Sequence, residues 1–349
     1  MIFIKNKRIE WIDIAKGIAI ILVVIGHSPA TNGIKTFIYG FHIPLFFFLS
    51  GFVFNPQKFS NSTEFFKNKI KTIVMPYLIF SLIEYLIYVL WENSIYNTNY
   101  YAYSIFKGIL YASADTLKMY PVLWFLPCLF VVQCAFFLLV KINGKKTYLI
   151  ISLITFSIVG FLYSQYSTVR LPWFIDSSLT AVVFYGIGFI YKTYDFYLES
   201  KLSAYYTELL IGSFALLYFC TFMNTTVDMF GLVYNNYFFY YTSAISGILF
   251  CIVLSKLINH SKTLTYLGKN TMLIFVFHVN MFNIVNYILG YIRNTYSIQF
   301  TVVLSAKWSL FYTSLSIILL IPVIIITSKL SRALKNSRTT KHVKDMVRF

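Results

Sequence analysis

Long apolar runs alternate with short polar segments along this chain, from about residue 14 to residue 328. Each run is close to the roughly twenty residues that a helix needs to cross a hydrocarbon core of about 30 Å. The pattern therefore predicts an all-α polytopic membrane protein with about ten transmembrane helices. The predicted helices lie near residues 14–30, 37–54, 73–91, 121–140, 147–163, 173–191, 206–223, 237–255, 271–289 and 308–326.

Composition supports this fold class and excludes a soluble globular domain. The 349 residues are 58% hydrophobic and 20% aromatic, and only 12% are charged. No polar stretch between the apolar runs is long enough to bury a second core. We therefore expect one transmembrane domain over residues 1–328, followed by a basic cytoplasmic tail over residues 329–349 that lies against the inner leaflet.

The distribution of positive charge predicts the orientation of the chain. If the N-terminus is cytoplasmic, only six of the 29 Lys and Arg residues fall in outer segments. They are Lys35, Lys107, Lys118, Arg170, Arg293 and Lys307. Because positive residues concentrate on the cytoplasmic side of membrane proteins, both termini are predicted to be inside. The net charge of +17 then reflects orientation and attraction to anionic membrane lipids, and we expect no nucleic-acid partner.

The first apolar run, "KGIAIILVVIGH", carries a cation at one end and an imidazole at the other. Eleven helical steps of about 100° place Lys16 and His27 on one face, roughly 16 Å apart along the axis. Asp13, three residues before Lys16, shares that face and can pair with it. Exposure of such a polar face to lipid is energetically unfavourable. The face is therefore predicted to turn inward, with Lys16 at the cytosolic rim and His27 in a cavity. Alternatively, Lys16 extends to the membrane boundary and His27 bonds the backbone of a neighbouring helix.

Six segments together resemble a known family, the acyltransferase 3 integral membrane acyltransferases. They are "WIDIAKGIAIILVVIGH", "FHIPLFFFLSGFVF", "FFKNKIKTIVMPY", "VLWFLPCLF", "LPWFIDSSLTAVVFYGIGFIYK" and "LGKNTMLIFVFH". The resemblance is strongest to the branch of fucose 4-O-acetylase and the intercellular-adhesion membrane acyltransferase. The chain departs from the family in having Lys16 where most members have Arg, and Leu129 where many have Glu.

The resemblance implies an enzyme of the bacterial cytoplasmic membrane. It would transfer an acetyl group from acetyl-CoA to a hydroxyl of a cell-surface or lipid-linked glycan. Acetyl-CoA is then a substrate, and neither a permanently bound cofactor nor a metal is expected. His27 is the expected general base, since an imidazole titrates near neutral pH, and Asp176 is expected to orient it. Glu84 competes with Asp176, and a covalent acyl-histidine intermediate stays open beside direct attack.

The remaining candidates divide between the two substrates. Lys16 and Lys71 are expected to bind the coenzyme A phosphates, helped by Asp13 and Ser50. On the acceptor side we expect His42, Trp124, His278 and Glu84. Structural roles compete: His42 can cap the break made by a following proline, Trp124 can anchor at the interface, and His278 can be a packed, hydrogen-bonded histidine.

Two rival functions remain open from the sequence. A transporter or flippase for a glycan or lipid-linked sugar would line a translocation path with the same polar face. A transferase of the same family would use another donor, such as succinyl-CoA. The expected partners of the preferred function are an acyl-CoA, a glycan or lipid-linked sugar acceptor, and membrane lipids.

Overall fold

The computed structural model describes residues 9–92, 102–117, 120–297 and 300–346. These residues form α-helices joined by short turns, with an isolated antiparallel bridge between Asp228 and Val233. The helices are α1 Glu10–His27, α2 Asn32–Tyr39, α3 His42–Phe52, α4 Ser62–Lys69, α5 Met75–Ile87, α6 Ala102–Tyr111, α7 Phe125–Ile142, α8 Lys146–Tyr166, α9 Ile175–Leu202, α10 Tyr206–Asn224, α11 Tyr237–Ile258, α12 Lys262–Lys269, α13 Thr271–Tyr296 and α14 Ala306–Met346.

Within the described ranges, eight helical stretches are long and apolar enough to cross a membrane. They are Asn32–Phe52, Ser62–Leu90, Pro121–Ile142, Lys146–Tyr166, Pro172–Asn224, Tyr237–Ile258, Thr271–Tyr296 and Ala306–Leu330. The all-α polytopic membrane fold is therefore confirmed. Pro172–Asn224 contains 53 residues, a length that suits two crossings, whereas α1 is excluded from the eight because it carries three charged residues. Ten crossings and the inside orientation of both termini stay predictions.

Several element boundaries differ from those that the apolar runs predicted. The second predicted helix is broken at Gly40 and Phe41 into α2 and α3. Besides α4, which continues into the third predicted helix, two helices, α6 and α12, lie in segments predicted as loops. At 10 and 8 residues they are too short to cross a bilayer, so a search for twenty-residue apolar runs does not find them. Lys118 lies outside the described residues.

Two helix crossings at small residues fix the positions of α1 and α3. A Cβ atom at Gly17 of α1 would lie 2.2 Å from the carbonyl oxygen of Leu264 in α12. A Cβ atom at Gly51 of α3 would lie 1.8 Å from the carbonyl oxygen of Tyr185 in α9. Backbones that approach this closely require glycine, which is the usual way in which membrane helices pack tightly.

Candidate active site

A cavity of about 180 Å³ lies at the C-terminal end of α1. It is lined by His27, Tyr39, His42, Ile43, Pro121, Val122, Trp124, Val227, Asp228, Met229 and Phe230. The wall is therefore largely apolar and aromatic, with two imidazoles, a phenol and one carboxylate. This composition suits a small ligand held by packing and oriented by a few polar groups.

His27 is the last residue of α1 and presents an exposed side chain to this cavity. The turn that follows it is held by α14, because the hydroxyls of Ser28 and Ser309 lie 2.6 Å apart. The backbone amide of Ser305 also donates to the carbonyl oxygen of Pro29 at 3.0 Å. The end of α1 is therefore fixed by a distant part of the chain, and the imidazole has a defined position at the cavity wall.

His278 of α13 is fully buried beside His27, with ring centroids 5.0 Å apart. Its Nδ1 atom lies 2.8 Å from the carbonyl oxygen of Phe275 and 3.2 Å from that of Ile274. Because a carbonyl oxygen only accepts, Nδ1 carries the proton in this arrangement. The Nε2 atom then has a lone pair, and no hydrogen bond reaches it among the described residues.

His42 lies at the break between α2 and α3. Its Nδ1 atom donates to the carbonyl oxygen of Ile38 at 2.8 Å, which satisfies a backbone group at the end of α2. The His42 ring also packs against the Tyr39 ring in a tilted arrangement, at a centroid distance of 5.1 Å. The structural role expected for His42 is therefore present, and the same residue lines the cavity.

The carboxylate in the cavity is Asp228, which sequence reasoning missed. It belongs to the connection between α10 and α11, where its backbone pairs with Val233 through two 2.8 Å hydrogen bonds. Burial raises the pKa of Asp228 above its usual value, although backbone amides of Gly231 and Phe230 and the charge of Arg170 oppose the shift. A single acid in a loop between two helices has no periodicity to mark it, so its placement in the cavity could not be predicted from the sequence.

A second cavity of about 160 Å³ adjoins the first on the Lys16 side of α1. Its wall is formed by Lys16, Ile20, Ile43, Phe46, Ser50, Phe125, Leu126, Leu129, Thr271, Met272 and Phe275. Lys16 is half-buried and is the charged residue of this wall. Two residues expected to bind the donor, Lys16 and Ser50, are thus brought together.

The N-terminus of α13 opens onto the same cavity. Thr271 and Met272 are its first two residues, and no side chain caps the amides of this turn. A helix N-terminus carries a partial positive charge and unpaired N–H donors. Together with the Lys16 ammonium, it makes this end of the cavity suitable for an anion such as a phosphate.

Asp176 does not line the cavity that contains His27. Its carboxylate is completely buried and accepts from Arg170 Nε at 2.6 Å, from the Ser177 amide at 2.8 Å and from the Leu171 amide at 3.2 Å. These partners hold both carboxylate oxygens. The described geometry therefore gives Asp176 a partner in Arg170, and it is His278 that lies beside His27.

Three other predicted site residues also lie away from the two cavities. Glu84 is buried and accepts from the Asn280 side-chain amide at 2.9 Å. Lys71 is exposed on the π-helical turn Ile70–Val74. Asp13 is buried where α1 crosses α12, with its carbonyl oxygen 1.9 Å from a Cβ atom built on Gly268.

The arrangement of the histidines can perform proton transfer in the cavity that His27 lines. Among the described residues, no three His, Cys, Asp or Glu side chains are grouped so as to hold a metal ion. His42 and His278 instead each donate from Nδ1 to a backbone carbonyl oxygen, and His27 faces the cavity. An exposed imidazole next to a second imidazole is a suitable general base.

The chain was compared with known families, proteins and structures. A family model described as an acyltransferase domain matches residues 9–328. No curated protein and no solved structure matches the chain. The resemblance to the fucose 4-O-acetylase branch stays a prediction. Because the family match covers nearly the whole chain, this protein belongs to the acyltransferase 3 family and is a membrane acyltransferase.

Proposed function

We propose that this protein transfers an acetyl group from cytosolic acetyl-CoA to a hydroxyl of a cell-surface or lipid-linked glycan. The observation that carries the proposal is the pair of adjoining cavities along α1, one with Lys16 and one with His27. Lys16 and the N-terminus of α13 supply positive charge for the coenzyme A phosphates. The pantetheine arm would extend from there toward His27.

His27 is proposed to act as the general base. Its free ring nitrogen takes the proton of the acceptor hydroxyl as the oxygen attacks the thioester carbonyl carbon. The new C–O bond forms, the C–S bond breaks, and the imidazolium returns the proton to the departing thiolate. The products are the acetyl ester and coenzyme A, so atoms and charge balance without a further reactant.

His278 is proposed to orient His27. With its Nδ1 proton committed to the Phe275 carbonyl oxygen, its Nε2 lone pair can accept the other ring N–H of His27. That hydrogen bond would fix the tautomer in which the remaining nitrogen of His27 is basic. A neutral imidazole here takes the place that a carboxylate has in a catalytic triad.

The cavity at His27 is proposed to hold the acceptor sugar. Trp124 and Phe230 pack edge to face in its wall, with ring centroids 6.3 Å apart, and offer apolar surfaces to a sugar ring. Asp228 offers a hydrogen-bond acceptor to its hydroxyls. The cytoplasmic membrane of a bacterium is the proposed location, since the donor is cytosolic and the acceptor belongs to the envelope.

The test is acyl transfer by purified protein in lipid nanodiscs. Radiolabelled acetyl-CoA is supplied with a mixture of short glucose, galactose and N-acetylglucosamine oligosaccharides, and ester-linked label is measured. We expect labelled sugar, and His27→Ala should reduce its rate by about 10²- to 10⁴-fold while the protein remains folded. His260→Ala, at an exposed histidine paired with Glu10, is the matched control and should retain transfer.

The rival functions give different results in the same assay. A transporter or flippase moves no label to any sugar, whatever the state of His27. A transferase with another donor is inactive with acetyl-CoA and active with radiolabelled succinyl-CoA. Either outcome overturns the proposed acetyl transfer.

A further inference from the structure

The boundary between the two cavities is formed at one side chain. Among the described residues that line them, Ile43 lies in the wall of both. His27 is in the wall of one cavity and Lys16 in the wall of the other. A group that travels from the Lys16 end to His27 must therefore pass Ile43.

The rest of the boundary is rigid and aromatic. Trp124 faces the His27 cavity, and its neighbour in sequence, Phe125, faces the Lys16 cavity. The Phe125 ring packs against Phe47 at a centroid distance of 4.9 Å and against Phe275 at 5.6 Å. These rings pack against one another from α3, α7 and α13, whereas Ile43 presents a half-buried aliphatic side chain to both cavities.

The backbone that carries Ile43 has little freedom to move aside. Gly51, on the same helix α3, already lies so close to α9 that a Cβ atom would meet the Tyr185 carbonyl oxygen at 1.8 Å. From the other side, a Cβ atom on Gly188 of α9 would lie 2.0 Å from the Phe48 carbonyl oxygen of α3. The width of the opening is therefore set by the Ile43 side chain more than by displacement of its helix.

We infer that Ile43 determines which acyl groups the enzyme accepts, by limiting the size of the group that passes from the donor cavity to His27. The inference rests on the proposed acyl transfer and names the residue that sets donor specificity. An unbranched acyl group fits past a β-branched side chain in the wall, as the unbranched end of the pantetheine arm must, and a branched or aromatic acyl group does not. One methylene in a close-fitting apolar site changes kcat/KM by roughly 10- to 200-fold.

The experiment measures kcat/KM for acetyl-, isobutyryl- and benzoyl-CoA in nanodiscs, with the same oligosaccharide mixture as acceptor. Ile43→Ala removes most of the side chain, and Ile43→Phe enlarges it. Ile190→Ala is the matched control, since Ile190 is also a half-buried isoleucine but lies on α9 in neither cavity. Binding of coenzyme A is followed separately, by its effect on the thermal denaturation midpoint.

We expect the unaltered protein to favour acetyl-CoA, and Ile43→Ala to raise the benzoyl-to-acetyl ratio of kcat/KM by roughly tenfold or more. Ile43→Phe should lose transfer of every acyl group yet still be stabilised by coenzyme A, which shows that it is folded and binds the donor. Ile190→Ala should leave the ratio unchanged.

Two results would overturn the inference about Ile43 and leave the proposed acyl transfer intact. One is transfer by Ile43→Ala with an unaltered benzoyl-to-acetyl ratio, and the other is full acetyl transfer by Ile43→Phe. If the unaltered protein transfers no acyl group from any of the three donors, the proposed function itself fails and the inference fails with it.

Discussion

The imidazole rings of His27 and His278 lie 5.0 Å apart, although 251 positions separate them in the chain. His278 is fully buried and fixed to its own helix through Nδ1, whereas His27 faces the cavity. One imidazole is thus held rigidly and the other is available for chemistry. This division of roles matches a positioning residue and a base.

Replacement of His278 tests its positioning role. We expect His278→Ala to reduce kcat by roughly tenfold to a hundredfold, by analogy with removal of the partner of a metal-bound histidine. KM for acetyl-CoA should change little, because the donor binds at the other end of α1. His278→Gln keeps a hydrogen-bond acceptor and should recover part of kcat. A purely structural role predicts a lower denaturation midpoint with no recovery of kcat in the glutamine variant.

The role of the Lys16 ammonium in binding the donor can be tested by removing or replacing its charge. Lys16→Ala should raise KM for acetyl-CoA roughly tenfold to a hundredfold, the effect of losing one hydrogen bond to a charged group. Lys16→Arg should restore binding. The difference in KM between Lys16→Ala and a protein with either Lys or Arg at position 16 should decrease as salt is added. Lys71→Ala is the control, since Lys71 is exposed away from the cavity, and we expect its KM to match that of the unaltered protein. Equal effects of the two alanine variants would contradict the assignment.

The Arg170–Asp176 ion pair is expected to stabilise the start of α9. Its side chains are 11% and 0% exposed, so Arg170→Met leaves a buried carboxylate unpaired, at a cost of about 3–5 kcal/mol. The double variant Arg170→Met with Asp176→Asn should regain most of the lost thermal stability and most of the acyl transfer. If Asp176 orients His27 instead, the double variant would regain stability and remain inactive.

The close approach of α3 and α9 can be tested at its glycine. Gly51→Ala forces a Cβ atom against the Tyr185 carbonyl oxygen and should lower the free energy of unfolding by about 1–3 kcal/mol. Gly212→Ala on α10 is the control, because nothing lies within 4 Å of its Cβ position. There, alanine should stabilise the helix by up to about 1 kcal/mol. The denaturation midpoints of the two variants should therefore shift in opposite directions.

Much of the architecture was predictable because its causes are local. Apolar runs long enough to cross a bilayer specify membrane helices, since a helix pairs its backbone N–H and C=O groups within the one apolar segment, as lipid requires. The placement of Lys16 and His27 on one face of α1 follows from helical geometry. Six matching segments indicated the family, which the match over residues 9–328 confirms.

The short helices and the partners of the buried charges were not predictable in this way. The short helices α6 and α12 carry no long apolar run, and their positions depend on packing against other helices. Asp176 and Asp228 look alike as acids near the ends of apolar runs. Arg170, six residues before Asp176, holds one of them, and a connecting loop brings the other to the cavity.

The sequence by itself determined that this chain crosses the membrane as helices and that α1 carries a cation and an imidazole on one face. The tertiary structure alone decided that His278 lies beside His27, that Asp228 enters the cavity in place of Asp176, and that Ile43 separates two chambers. The physical reason is that helix periodicity is a property of neighbouring residues, whereas these contacts depend on how closely distant backbones approach, as the crossing at Gly51 shows.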